Sequence, residues 1–363
     1  MTLSQQNGEV AEENTTEKKD DNNSDDVSSV SSDEALLEML GLSSLKDVAT
    51  VSDETDANTQ KHQSPLPSIS EEQLQKLAAP LHQQYLNESV CIFPPECSIP
   101  ADHMRKLTDE LVWGGPSIQA DKTYENIKIL KTNTGEIEHR RTLTRLEHFV
   151  DAHEGWSVLC HEYLQRLVSA ALGTEMMLYK EKLNLKPPGG SGFAPHLDSP
   201  SLRVALGADG PQTFCTVMVA IDDMTMDNGC LRISKGNWSE ENHCQVVQPE
   251  KDGDPDAGGR AGAIPLDVAD CMTFNDVIVK GGTIVCFNGW APHRSAANAS
   301  PFPRRAVFLT YNPKKEGDFH KAYYANMQKL RDEWREKLGL ANRQQRLEDE
   351  KLEQEALATV PKL

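Results

Sequence analysis

The chain has 363 residues, 38% hydrophobic, 26% charged and 6% aromatic, with 37 Lys and Arg against 56 Asp and Glu for a formal charge of −19. These values exclude a membrane-spanning bundle, a collagen-like repeat and a disulfide-dense miniature. No basic stripe offsets the acidic total, so nucleic acid is not an expected partner, and no stretch of apolar residues is long enough to cross a bilayer.

Residues 1–69 read as an acidic extension. Residues 1–70 hold 15 acidic and 4 basic side chains, a net of −11, which leaves −8 for the rest of the chain. Rich in Asn, Ser, Asp and Glu, the extension buries too little apolar surface to offset the entropy of ordering, and disorder is expected. A short apolar cluster within it (Leu36, Leu37, Met39, Leu40, Leu42) is a candidate docking element for an unidentified protein partner. Alone, so short a segment forms no stable helix.

Order is expected from Ser70, which stands three residues before Gln73 as a capping box and opens an amphipathic helix through Leu74, Leu77 and Leu81. Ser89–Phe93 reads as a strand and Pro94-Pro95 as a break. Pro100–Val112 is a second helix with Met104, Leu107, Leu111 and Val112 on its apolar side, and Trp156–Leu172 a third. From Met176 the texture changes to runs rich in Val, Ile, Thr and Phe, namely Phe214–Ile221, Cys230–Ser234, Thr283–Phe287 and Ala306–Tyr311, bounded by Gly, Pro, Asn and Asp. Short strands without intervening helices predict a mostly β fold, an antiparallel sandwich or barrel with flanking helices. Lys251–Ala263 reads as an inserted loop, and the chain turns helical again after Asp318, with a densely charged, solvated helix over Arg331–Leu357. The expected organisation is therefore an extension (1–69), a β-rich domain (70–315) and a C-terminal helical segment (316–363).

Eight scattered cysteines form no C-x-x-C pair, which fits free thiols in a reducing compartment. The start of the chain lacks a basic and apolar leader, so a cytoplasmic location is expected. The ending Pro361-Lys362-Leu363 is a variant of the S-K-L peroxisomal address and makes the peroxisome the alternative.

The chemistry concentrates in Gly190–Asp198, GSGFAPHLD. In an extended chain His196 and Asp198 point the same way and can share one metal ion. The best third ligand is His293 in GWAPHRS, at the end of an apolar strand. Two imidazoles and a carboxylate on one face of a metal leave three positions open, an arrangement suited to non-haem Fe(II) that activates O2. Eleven residues on, Arg304 precedes the last strand; its guanidinium can hold a terminal carboxylate through two parallel hydrogen bonds, and Ser295 can add a hydroxyl. Arg305 should face the opposite side as a surface charge.

In Lys180–Lys186, alternation places Lys180, Lys182, Asn184 and Lys186 on one face and Leu183 and Leu185 on the other. With the leucines against covering helices, the polar set offers ammonium groups and an amide to a small anion; a solvated edge strand would carry the same pattern. His139, Arg140, Arg141, Arg145 and Glu147 form a second polar cluster that could hold the other end of a zwitterion.

The H-x-D pair, the distal histidine and the arginine eleven residues further on resemble the phytanoyl-CoA dioxygenase family of Fe(II)/2-oxoglutarate oxygenases over roughly residues 70–330. FAPHLD, AIDDMTMDNGCL, APHRSAAN, RRAVFLTYNP and EGDFHKAYYA are most similar to the branch acting on 2-aminoethylphosphonate and its trimethylated relative. The resemblance implies a double-stranded β-helix (jelly roll, cupin-like) with iron held by His196, Asp198 and His293. It implies 2-oxoglutarate as cosubstrate gripped by Arg304 and Ser295, and a substrate met by Lys182, Asn184, Lys186 and Arg145. It further implies hydroxylation of a small anionic or zwitterionic metabolite, plausibly an organophosphonate, with succinate and CO2 as co-products. Halogenating relatives have a small residue at the carboxylate position, so Asp198 favours hydroxylation. Two alternatives stay open: a hydroxylase of an acyl-CoA or specialised metabolite on the same scaffold, and a catalytically silent β-barrel that binds partners.

Overall fold

The structure is a computed structural model that describes residues 65–114, 120–130, 137–200, 206, 210–242 and 262–337. The acidic extension with its Leu36–Leu42 cluster, most of the 251–263 loop, the charged segment after Lys337 and the Pro361-Lys362-Leu363 ending lie outside these residues.

Helix α1 (Glu71–Glu88) begins with the expected capping box: Gln73 N donates to Ser70 Oγ at 3.2 Å and Ser70 N donates to Gln73 Oε1 at 2.8 Å. Leu74 and Leu81 are its buried residues, and the helix ends at Ser89 in the left-handed region. Strand β1 (Val90–Ile92), a 3₁₀ turn at Pro95–Cys97 and helix α2 (Ala101–Trp113) follow, with Met104, Leu107 and Leu111 buried. The third expected helix is divided into α3 (Glu154–Ser157), a π-helical stretch (Val158–Leu164) and α4 (Gln165–Leu172), closed by Gly173 at φ 68°.

Between α2 and α3 lies an antiparallel pair that the sequence pattern did not announce, β2 (Asp121–Leu130) with β3 (Ile137–Glu147). Its charged residues obscure the alternation by which half-buried strands are recognised. The remaining elements are β4 (Met176–Lys186), β5 (Phe193–His196), β6 (Cys215–Ala220), β7 (Leu231–Ile233), the short helix α5 (Leu266–Asp270), β8 (Asn275–Asp276), β9 (Ile284–Asn288), β10 (His293–Ser295), β11 (Arg304–Pro313) and helix α6 (His320–Lys337). Among the described residues no helix is long and apolar enough to cross a membrane.

The strands form two antiparallel sheets, a large one in the order β1-β9-β6-β11-β4-β3-β2 and a small one in the order β5-β10-β7-β8. This is the jelly-roll arrangement of a double-stranded β-helix. The large sheet is covered on both faces, which explains the near-continuous burial of β6 and β11. One face (Val217, Val219, Ile284, Cys286, Val307, Leu309, with Leu183 and Leu185) packs under α1, α2 and α4. The other (Met218, Ala220, Val285, Phe287, Ala306) meets Cys230, Leu231 and Ile233 near and on the small sheet. Cys91 and Cys286 are directly opposed across β1 and β9, and with Cys215 they lie sealed in the helix-covered core.

Helix α6 docks against β4 through buried polar groups. The Glu181 carboxylate accepts from Phe149 N and Val150 N at 2.9 and 3.1 Å and lies 2.9 Å from His320 Nε2. Tyr324 Oη donates to Glu181 O at 2.8 Å, and its ring stacks on His148 at 4.1 Å.

Arg305 departs from its expected place as a surface charge. It is 5% exposed, its Nε and Nη2 donate to the Asp222 carboxylate at 2.8 and 2.9 Å, and its Nη1 donates to Asp109 on α2 at 3.1 Å. The alternation was right, since Arg305 does face away from Arg304. The face it turns to is covered by a helix that brings a carboxylate to meet it.

Candidate active site

His196 and His293 are directly opposed across the β5–β10 pair, with ring centroids 4.1 Å apart. Asp198 lies two residues beyond the end of β5, where its backbone N–H donates to Gly289 O at 3.1 Å. This ties the β5 end to the turn that leads into β10. The intervening Leu197 points the other way into a small apolar cluster, which leaves the residues on either side facing the pocket.

Each imidazole has one nitrogen committed to backbone. His196 Nδ1 is 2.7 Å from Ala194 O and His293 Nδ1 is 3.0 Å from Ala291 O. A carbonyl oxygen only accepts, so Nδ1 carries the proton and Nε2 presents its lone pair. The two Nε2 atoms lie 3.9 and 3.8 Å from Asp198 Oδ1. The other carboxylate oxygen, Oδ2, accepts from Thr216 Oγ1 on β6 at 2.8 Å, which orients the carboxylate. Ligand-type atoms from all three residues fall within 4.8 Å of one another, a donor set that could hold a divalent iron ion.

The electrostatics suit that use. Burial, reinforced by the neighbouring His293, depresses His196 to about 3, which keeps its imidazole neutral and able to ligate. Burial works to raise the Asp198 carboxyl, but His293, His196, Lys180 and Lys182 outweigh it and leave the group well below the usual carboxylate range.

The three residues open on a pocket between the sheets, which Lys180, Lys182, Asn184, Arg304, Phe308 and Thr310 also line. The face predicted for β4 is therefore the face that lines the pocket. Register explains the company: Lys182 opposes Phe308 and Lys180 opposes Thr310 on β11, and opposed residues of an antiparallel pair share a face.

One end of the pocket is cationic. Arg304, 3% exposed, donates through Nη2 to Gly229 O at 2.6 Å, while its Nε is buried without a partner. Ser295 Oγ accepts from Lys186 Nζ at 2.9 Å and from Phe193 N at 3.2 Å, leaving its own proton to donate. Gly229, at φ 69°, lies so close to the Ala296 carbonyl that any side chain would collide with it. Desolvation lowers Arg304 to about 10, and it remains a cation at neutral pH. Desolvation and the adjacent guanidinium lower Lys186 to about 7.

Lys186 is thus in a different place from the one its spacing suggested. It is directly opposed to Arg304 and reaches Ser295 Oγ, Ala296 O and Gly229 O, apart from Lys182 and Asn184. Arg145 opposes Asn184 on β3 and is not among the pocket-lining residues; its Nε is buried without a partner, as is Asn184 Oδ1. Lys182 lies over the rings of Phe193 and Phe308 at 5.5 and 5.8 Å, and desolvation with repulsion from Lys180 and Arg145 lowers it to about 7. His139, Arg140 and Arg141 lie on the β2–β3 hairpin and do not line the pocket.

Thr216, Thr310, Phe308 and Arg294 are pocket residues that sequence reasoning missed. Thr216 sits in a strand buried on both faces, where hydrophobic periodicity carries no facing information; a polar residue in such a run was the available signal.

Comparison with known proteins bears on this site. A family model described as phytanoyl-CoA dioxygenase matches residues 101–306. A 2-aminoethylphosphonate dioxygenase from the uncultured bacterium HF130_AEPn_1 is 37% identical over 194 residues, 53% of this chain and 66% of that protein. A methylphosphonate hydroxylase from Gimesia maris is 31% identical over 183 residues, 50% of this chain and 63% of that protein. The chain thus matches just under two-thirds of the length of these relatives. Among solved structures, EctD from S. alaskensis with 2-oxoglutarate and 5-hydroxyectoine is 18% identical with a TM-score of 0.48, covering 70% of this chain and 82% of that one.

Proposed function

The chain belongs to the phytanoyl-CoA dioxygenase family, and on that premise we propose that it is an Fe(II)/2-oxoglutarate-dependent dioxygenase that hydroxylates a small anion, an organophosphonate in the first instance. The observation that carries this reading is the common pocket: His196, Asp198 and His293 face a wall of cations on β4 and share a cavity with Arg304. The two relatives described as phosphonate enzymes support the substrate class.

In this reading His196 Nε2, His293 Nε2 and the Asp198 carboxylate would hold the iron. Iron with 2-oxoglutarate supplies the oxygen activation that converts C–H to C–OH, with succinate and CO2 as co-products. The chain's part is positional. Ala194 O and Ala291 O fix the imidazole tautomers, and Thr216 aims the carboxylate. Arg304 and Ser295 receive the distal carboxylate of 2-oxoglutarate, with Lys186 supporting Ser295. Lys182 and Asn184 receive the substrate's anionic end, with Arg145 behind Asn184. Burial between the sheets excludes water and strengthens each charge interaction.

A coupled succinate assay over phosphonates, acyl-CoAs and quaternary amines tests the reading. Turnover of a phosphonate that requires both Fe(II) and 2-oxoglutarate, and disappears in His196→Ala, is expected. Turnover confined to acyl-CoAs would overturn the substrate class. Failure of the chain to bind Fe(II) and 2-oxoglutarate in an anaerobic titration would overturn the enzyme reading.

A further inference from the structure

Glu147 ends β3 directly opposite Lys182 on β4. Opposed residues of opposite charge on antiparallel strands share a face and come within pairing distance. Yet among the described residues Lys182 forms no ion pair. Glu147 is turned instead to helix α6, where its Oε2 accepts from Arg331 Nη2 at 2.8 Å. The carboxylate is 4% exposed and its pKa is lowered: burial opposes ionisation, and Arg145, Lys180, Arg331 and Lys182 override it. A charged Glu147 thus stands among four cations, among them the pocket lysine opposite it and the helix arginine. Arg331 has the directed hydrogen bond, and Lys182 is left over the rings of Phe193 and Phe308.

We propose that Arg331 is a positioning residue that holds Glu147 away from Lys182 and so leaves the Lys182 ammonium available to the anionic end of the substrate. This rests on the reading of the pocket as a small-anion site. It extends that reading to an element outside the family match, because α6 begins at His320 and the matched region ends at 306. The same helix brings Tyr323, whose ring lies 5.5 Å from the Lys180 ammonium. Helix α6 thereby reaches the surroundings of both pocket lysines on β4. Without Arg331, Glu147 would pair with Lys182, and a substrate anion would have to displace a buried carboxylate to bind.

The test uses the full chain loaded with Fe(II) and 2-oxoglutarate under nitrogen, so that the Arg304 end is filled and no turnover occurs, with methylphosphonate titrated calorimetrically. Arg331→Met should weaken methylphosphonate binding by about tenfold, the order expected for one charge-assisted contact, and leave 2-oxoglutarate affinity unchanged. Adding Glu147→Gln to Arg331→Met should restore affinity to near that of the unmodified chain, a rescue that a merely structural role for Arg331 would not give. In aerobic turnover the KM for the phosphonate should rise in Arg331→Met while kcat holds. Unchanged affinity in Arg331→Met, or a loss that Glu147→Gln does not reverse, would overturn the inference and leave the proposed function standing. Absence of methylphosphonate binding by the unmodified chain would overturn the substrate reading, and the inference with it.

Discussion

Lys186 and Arg304, directly opposed across β4 and β11, share one acceptor: the Gly229 carbonyl lies 3.3 Å from the ammonium and 2.6 Å from the guanidinium. Two cations on one neutral oxygen repel each other, and that repulsion adds to desolvation in lowering Lys186 to about 7. A carboxylate arriving at this end relieves the repulsion and meets the unpartnered Arg304 Nε.

Arg304→Ala should therefore raise the KM for 2-oxoglutarate by roughly ten- to a hundredfold, the equivalent of about 1.5–3 kcal/mol for hydrogen bonds to a charged group. Lys186→Met should raise it less, because Lys186 acts through Ser295. Steady-state kinetics with 2-oxoglutarate as the varied substrate checks both. Equal KM values for Arg304→Ala and the unmodified chain would refute the assignment.

Thr216→Val keeps the shape of the strand and removes the donor to Asp198 Oδ2. Supporting groups of this kind are worth roughly ten- to a hundredfold in metal affinity, and a loss at the lower end is expected because both imidazoles keep their backbone anchors. Competition with a chelator under nitrogen measures it.

The Arg305–Asp222 pair lies one residue from Arg304, and Asp222 Oδ2 also accepts from the Arg305 backbone N–H at 3.0 Å. Asp222→Ala leaves a buried guanidinium with Asp109 alone. A destabilisation of about 3–5 kcal/mol is expected, as for other buried pairs broken on one side. Urea unfolding checks the magnitude, and a rise in the 2-oxoglutarate KM of the surviving folded protein would show that the pair also sets the start of β11.

His320 gives a pH dependence. Burial alone would lower its pKa, but the Glu181 carboxylate 2.9 Å away, with Asp151 and Asp318, raises it above the ordinary value. The folded chain therefore holds this proton more tightly than the unfolded chain. Its contribution to stability is complete below the unfolded pKa of about 6.5 and is lost as pH rises through the higher folded value. Denaturation midpoints should fall across that window, and His320→Gln should flatten that part of the profile. A fall of the same size in the variant would place its origin elsewhere.

Much of the site was legible because its residues stand out locally. His196, Asp198 and His293 are polar groups at strand ends, and the alternation in KEKLNLK identifies its pocket face without tertiary information. The β2–β3 pair was not legible because its strands carry charge on nearly every second residue, and the join of β3 to β4 is a contact between segments distant in the chain. Arg305 was assigned the correct face and the wrong surroundings. Alternation specifies direction, and only tertiary packing supplies Asp109 from α2 and Asp222 from the turn after β6. Lys186 was displaced from its expected group for a similar reason: its spacing matches Lys182, while its length lets it reach past the strand to Ser295.

The sealed thiols give the sheet a further property. Six of the seven described cysteines are buried and only Cys271 is exposed. Cys91, Cys286 and Cys215 lie on three neighbouring strands, β1, β9 and β6, at one edge of the large sheet beneath the helices. A thiol reagent therefore meets these three only after strands separate, so the time course of their alkylation reads the opening free energy of the scaffold that carries the pocket. The chain has its own gauge of how far substitutions at the site propagate into the fold, with no label added.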